Sequence, residues 1–309
     1  MELINIQNSI HAIIVTYYPN CDNLNRLLAV LDPQVQKIWL IDNASATPIA
    51  DLVRFSGLIN KPIVLQNSNN IGLAAAQNRG IISASMSGAT HILMLDQDSI
   101  PMHDMVWHLV KEISSLQLAG FSVAGVGPSY VSSITMYPSR FVRLDRFSLK
   151  KALILPGQTS VEVDILISSG TLIRTSVFQD IGLMDESLFI DHVDTEWCLR
   201  ARSKGYKFFG LPKARMIHSL GEKQKRIWCL RWRNVSYHHP FRYYYIIRNV
   251  LLLQRRCYIP LNWKFVELVR SINILLYHCF FGFNRKQCIS YMRRGIFDGL
   301  RGVSGAIKV

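Results

Sequence analysis

An α/β fold, with a mainly parallel sheet flanked by helices, is what three features of this sequence predict. Short apolar runs alternate with stretches of helical spacing through the first two thirds of the chain. Several of those runs close on Asp or Asn, and no repeat or low-complexity tract interrupts them. Strands alternating with helices pack as a doubly wound sheet, whose ligands sit beyond the carboxyl ends of the strands.

The elements follow in order. HAIIVTYY (11–18) reads as a first strand, and NLNRLLAVL (23–31) as a helix with Asp22 as N-cap. KIWLIDNAS (37–45) and PIVLQN (62–67) are the second and third strands. GLAAAQNRGIISASM (72–86) is a helix rich in small residues, and HILMLDQDS (91–99) is a buried fourth strand. A helix over 102–116 precedes a strand and turn over 124–131, and residues 132–160 read as irregular. The stretch 163–182 reads as strand, Ser-Ser-Gly-Thr turn, strand and helix. Next come a helix over roughly 193–204, ended by Gly205, and the strand KARMIHSLG (213–221). Helical spacing returns at 242–256 and 263–283. The boundary expected from this pattern separates a catalytic domain, 1–221, from a basic, aromatic-rich helical extension, 222–309.

Composition narrows the class. Of the 309 residues, 49% are hydrophobic and 18% charged, which suits a globular chain. No uncharged apolar run of about 18 residues is present, so no membrane span is expected. The N-terminus lacks the basic and apolar regions of a signal peptide, and the six cysteines form no C-x-x-C pair. A cytoplasmic location fits. Residues 200–309 hold 23 Lys and Arg against 3 acids, while residues 1–199 hold 12 against 18. The cationic third implies a polyanionic partner: a phospholipid surface, a diphosphate or nucleic acid.

Chemistry concentrates at the strand ends. Asp96 and Asp98 close an apolar run, and two carboxylates so close repel unless a cation joins them. Mg²⁺ or Mn²⁺ binds one or two such carboxylates and completes its shell from diphosphate oxygens and water. A lone D-x-D also occurs in solvated turns. Asp191, Asp194 and Glu196 cluster near a helix start, either as reactive groups or as a helix N-terminal charge preference. Trp197 beside them suits the wall of a sugar or lipid site. His218 closes another apolar run, either as an imidazole ligand suited to Mn²⁺ or as an ordinary core histidine. The segment 67–81 lacks G-x-G-x-x-G and P-loop patterns, which disfavours dinucleotide and ATPase chemistry.

Taken together, IVTYYP, IDNAS, NNIGLAAAQNRGI, LDQDS, SSGTLI and DHVDTEWCLRARSKGY resemble the motifs of family 2 inverting glycosyltransferases, in order and spacing. The resemblance covers roughly residues 10–220 and implies the GT-A fold. With RYYYIIRN added, it is strongest to bacterial rhamnosyltransferases of O-antigen and polysaccharide pathways, which use dTDP-β-L-rhamnose. It implies that Thr16, Tyr18, Asp42 and Asn43 contact the nucleotide, with Asp42 towards the base. Asn70, Gly72 and Asn78 line the nucleotide-sugar side, and Asp96 supports the nucleoside or metal. Asp98 and His218 hold Mg²⁺ or Mn²⁺, and Asp194 is the general base. Val193 stands where many members have a Glu. Gly170, Asp191 and Trp197 fall on the acceptor side.

The implied partners are a dTDP-sugar donor, a polyprenyl-diphosphate-linked glycan and the anionic inner-leaflet surface, with peripheral attachment to the inner membrane. The processive Q-x-x-R-W signature has only WCLRW (228–232) as its counterpart, so one sugar per encounter is expected. Rival readings are another donor (UDP-galactofuranose, UDP-GlcNAc or dTDP-fucose) and a non-catalytic binding protein. No nucleic-acid reading module is present.

Overall fold

The structure is a computed structural model describing residues 9–53, 57–132, 141–146, 148–152, 157–218, 223–229, 231–280, 282 and 284–308. In chain order its elements begin with β1 (Ile10–Thr16), α1 (Cys21–Leu31), β2 (Lys37–Asp42), α2 (Ile49–Leu52), β3 (Ile63–Gln66) and α3 (Leu73–Met86). Then come β4 (His91–Asp96), β5 (Ser99–Pro101), α4 (Met105–Leu118), β6 (Val123–Ser132), β7 (Val142–Leu144), β8 (Leu149–Lys151) and β9 (Val161–Val163). β10 (Leu172–Arg174), α5 (Thr175–Ile181), α6 (Val193–Ser203) and β11 (Lys207–His218) complete the main sheet and its cover. β12 (Lys223–Cys229), β13 (Arg231–Tyr237), α7 (Pro240–Gln254), α8 (Leu261–Phe280) and α9 (Arg285–Arg301) follow.

The main sheet runs β3-β2-β1-β4-β10-β6-β11-β5, with β9 on β11. β1 to β4 are mutually parallel, and β10 enters antiparallel between β4 and β6. The strands are nearly continuous Ile, Leu and Val because helices cover both faces. One face packs on α1 and α4 through Leu24, Leu27, Leu28, Leu109 and Ile113. The other packs on α3 and α6 through Ala74, Ile81 and Trp197. Small residues on α3 permit close approach: a Cβ on Gly80 would fall 2.5 Å from Ile13.

Three details differ from the sequence reading. The α1 N-cap is Asn20, which accepts from the Asn23 amide, so the helix starts ahead of Asp22. Residues 132–160 contain a hairpin, β7 with β8, where short strands carried too little periodicity to be seen. A second hairpin, β12 with β13, and the helix α9 occupy stretches assigned no element. Side chains of the W-C-L-R-W stretch and the expected 221/222 boundary lie outside the described residues. Among the described residues no helix is long and apolar enough to cross a membrane.

α7 is unusually buried. Tyr243, Tyr244, Tyr245, Ile247, Arg248 and Asn249 are all withdrawn from solvent. One side of α7 meets α9, where Gly295 and Gly299 allow contact with the α7 backbone. The other side meets residues 187–191, the segment that leads into α6.

Candidate active site

Register collects the candidate residues at the carboxyl ends of the parallel strands. Thr16 pairs with Asp42, and Val15 with Asp96, so the three parallel strands end together. β11 brings in His218 from more than a hundred residues away, because it pairs antiparallel with β5 and sets His218 opposite Ser99.

Asp96, Asp98 and His218 therefore converge, with one ligand atom of each lying within 4.8 Å of the others. His218 Nε2 lies 3.9 Å from Asp96 Oδ2, and Nδ1 lies 3.6 Å from Asp98 Oδ1. The imidazole is fixed from behind. Its Nδ1 is 2.7 Å from the buried Ser99 hydroxyl, which is 2.6 Å from Ser169 Oγ. Ser169 in turn accepts from the Asp96 amide at 3.1 Å, and Tyr130 stands edge-on to the ring at 5.7 Å. Burial raises the Asp96 carboxyl to about 6; Asp98 and Asp194 push the same way, against His218 and Arg242. Two carboxylates and an imidazole, converging and short of positive charge, fit a divalent metal ion of the Mg²⁺ or Mn²⁺ type.

Asp194 stands in the first turn of α6 and is half-buried. Its Oδ1 accepts from the Thr195 amide at 2.7 Å. Burial nevertheless dominates and raises its carboxyl above the ordinary range. The loop before it is strained. Phe189, Asp191 and His192 all have positive φ, at 65°, 64° and 61°, a region costly for residues with a Cβ. α7 holds this loop in place. Asn249 donates to the carbonyls of Leu188, Ile190 and Asp191 at 3.0, 2.8 and 2.8 Å. Arg242 pairs with both oxygens of the Asp191 carboxylate. The fully buried Arg248 donates to the carbonyls of Leu188 and Gly305.

Gln97, between the two aspartates, bonds both ways with the Tyr17 backbone, accepting at 2.8 Å and donating at 3.2 Å. This ties the metal-site loop to Tyr17 and Tyr18, whose exposed rings meet edge-to-face at 4.7 Å. Tyr18 adopts φ 47°, supported by its amide donating to Ser45 Oγ at 2.9 Å.

The remaining expected residues sit beneath this surface. Asp42 is fully buried and accepts from the Thr16 hydroxyl at 3.2 Å and the Ser45 hydroxyl at 2.6 Å. Asn43 donates to Asn70 at 2.9 Å and accepts from Asn67 and the Ile71 amide. Gly72 is required by Phe189 rather than by a ligand: its φ is 88°, and a Cβ would lie 2.6 Å from that ring. Asn78 spends both amide hydrogens on Met184 and Glu186, pinning that segment to α3 instead of lining a cleft. Gly170 is packed against Pro128 and Met216, which a Cβ would strike at 2.5 and 2.8 Å, so close packing accounts for it rather than a place on the acceptor side. Trp197 is 1% exposed, meets Phe178 at a tilt and Phe208 edge-on, and donates to the Gly182 carbonyl. It is core, not a wall for an acceptor.

Residues 12–182 match glycosyl transferase family 2. The chain belongs to that family. This family 2 glycosyltransferase is 32% identical over 304 residues to the dTDP-rhamnosyl transferase RfbF of Shigella flexneri, spanning 97% of this chain and 98% of that one. Its fold is shared with S. aureus TarS 1–349 in complex with UDP-GlcNAc, at TM-score 0.54 and 14% identity, over 96% of this chain and 81% of that one. It is also shared with GalNAc-T7 bound to UDP, GalNAc and Mn²⁺, at TM-score 0.54 and 18% identity, over 69% of this chain and 43% of that one. These two likenesses establish the GT-A-type architecture.

Sequence reasoning passed over Ser99, Ser169, Arg242, Arg248 and Asn249 of this family 2 chain. For the last two a signal existed: an Arg-Asn pair inside the apolar run YYYIIRNVLLL needs partners if the run is buried. For the serines none did, since only the pairing of β11 with β5 makes them neighbours of His218.

Proposed function

We propose that the chain transfers L-rhamnose from dTDP-β-L-rhamnose to a hydroxyl of a lipid-linked glycan in cell-surface polysaccharide assembly, with inversion at the anomeric carbon. The end-to-end similarity to RfbF carries the choice of donor. The convergence of Asp96, Asp98 and His218, with the Asp194 carboxylate near enough to raise that of Asp96, supports the chemistry.

Asp98, His218 and Asp96 hold a Mg²⁺ or Mn²⁺ ion, which when bound supplies the positive charge that stabilises the departing dTDP diphosphate. Tyr18 and Tyr17 offer an aromatic face to the nucleotide, placed there by Gln97 and Ser45. Asp42, Thr16, Asn43 and Asn70 shape the loops that carry this face. Asp194 accepts the proton of the acceptor hydroxyl as that oxygen bonds to C1 and the C1–O bond to dTDP breaks. One displacement converts a β-linked donor into an α-rhamnoside. Such general-base assistance contributes about 10²–10⁴-fold. Asp191, fixed by Arg242, lies on the acceptor side of the same loop.

The acceptor is a glycan on polyprenyl diphosphate, met at the cytoplasmic face of the inner membrane. The basic C-terminal third suits an anionic leaflet, where each nearby Lys or Arg contributes about 1 kcal/mol. Nucleic acid is not a partner in this reading.

The test is incubation with a panel of dTDP- and UDP-sugars, Mn²⁺ and extracted lipid-linked intermediates, with products weighed by mass spectrometry. A rhamnosyl increment from dTDP-rhamnose alone is expected. A hexose or N-acetylhexosamine increment from a UDP donor overturns the donor assignment and leaves the reaction class standing. Asp194→Asn is expected to abolish transfer while dTDP binding in Mn²⁺ stays within about threefold, since the base acts on the transition state. Retained turnover would remove Asp194 from its role.

A further inference from the structure

α8 is apolar on its solvent side as well as on the side that packs, where Trp263 is buried and Ile274 and Leu275 meet a core cluster. Its buried side carries Glu267 and His278 along with Trp263. Its solvent side carries Leu261, Phe265, Leu268, Ile272, Leu276 and Phe280. These recur at intervals of three and four residues, so they form one stripe along the whole helix. Exposure is substantial: 81% for Leu261, 50% for Phe265 and Ile272, and 69% for Phe280. A contiguous apolar stripe of this length is the mark of a surface that something covers.

Charge indicates what covers it. Between residues 261 and 308 the sequence holds eight Lys and Arg against two acids, Glu267 and Asp298. Both acids are engaged, Glu267 with Arg270 at 3.2 Å and Asp298 with the Tyr244 hydroxyl at 2.8 Å. The outer face of α9 presents Arg285, Lys286, Arg293 and Arg301, with Phe297 and Leu300 among them. A second copy laid on this surface would set these cations against one another. An anionic bilayer matches both properties, taking the apolar stripe into its acyl boundary and the cations among its headgroups.

We propose that α8 is an interfacial helix that lies in the plane of an anionic membrane and sinks its Leu261–Phe280 stripe into it, with the basic face of α9 alongside. The inner side of α8 reaches the catalytic loop: Trp263 stands edge-on to His192 at 5.8 Å, two residues before Asp194. The docked helix and the site that acts on a lipid-linked acceptor are thus directly connected. This purpose rests on the acceptor reading above; the docking itself does not.

The experiment uses the full chain and vesicles of phosphatidylcholine, with and without phosphatidylglycerol, at low and high salt, read by co-sedimentation. Binding is expected on the anionic vesicles, with a fraction that survives high salt because apolar insertion is unscreened. Ile272→Asp should weaken vesicle affinity at least about tenfold and Ile272→Trp should strengthen it, since the side chain enters the interface. Misfolding would move both variants the same way. Arg285→Gln with Lys286→Gln should remove part of the salt-sensitive fraction only. The proposal fails if the chain ignores anionic vesicles, or if Ile272→Asp binds as well as the parent. It fails equally if the chain is a dimer in solution that Ile272→Asp dissociates, because a second copy then covers the stripe. Transfer to a soluble glycan acceptor, measured without vesicles, tests the rhamnosyl reading separately.

Discussion

Asp96 has a carboxyl raised by its surroundings from 3.8 to about 6, and the direction of that shift has consequences for stability and for metal binding. The folded chain holds this proton more tightly than the unfolded chain. Without a metal ion, the Asp96 contribution to stability therefore falls as pH rises from about 3.8 to about 6. A divalent cation displaces the proton, so Mn²⁺ affinity should drop as pH falls through about 6. Titration calorimetry from pH 5 to 8 checks this, and an affinity flat across that range would contradict it. Ser99→Ala removes the hydroxyl that fixes His218 Nδ1 and should weaken Mn²⁺ binding about tenfold or more, as loss of groups supporting a metal ligand does. Asp194, also raised by burial, should give a rate that climbs with pH through its own titration, because only the ionised carboxylate accepts a proton.

At the scale of elements, α7 and the loop it grips act as one unit. Three positive-φ residues with side chains do not persist in a free loop, since each costs on the order of 1–3 kcal/mol. Asn249 and Arg242 supply the bonds that hold them. Asn249→Ala should lower kcat at least about tenfold while leaving dTDP affinity within about twofold, because it loosens Asp194 and not the nucleotide loops. Arg248 has a different duty: its guanidinium joins the C-terminal tail at Gly305 to Leu188 and lies against the rings of Tyr244 and Tyr245. Arg248→Met leaves buried carbonyls without donors and should cost about 3 kcal/mol, visible as a lowered Tm.

Taken whole, the molecule does not divide where its composition does. The charge balance changes near residue 200, yet α7 is packed into the 187–191 loop, and the tail returns to it where the Gly305 amide donates to the Ser187 carbonyl at 2.7 Å. A chain ending at residue 239 should therefore lose transfer and expose the 187–191 segment. Protease cleavage within that segment, absent in the full chain, checks this.

Local pattern was enough for the strand-and-helix alternation, the clustering of Asp42, Asn43, Asp96 and Asp98 at strand ends, and the family. Each depends on periodicity or on residues close in sequence. The hairpin of β7 with β8 was not legible, because three-residue strands such as Val142–Leu144 carry no period. Nor were the duties of Gly72, Asn78, Gly170 and Trp197. Motif position could not separate residues that touch a ligand from residues that pack beneath it, which is a matter of burial. Pairing across long separations decided the rest: β11 on β5 places Ser99 behind His218, and α7 on the 187–191 loop places Arg242 and Asn249 on Asp191, three residues before Asp194. The sequence by itself determined which chemistry the chain carries. The tertiary structure alone decided which side chains face that chemistry and which hold it in place, because buried polar groups take their partners from wherever the fold brings a donor or acceptor within reach.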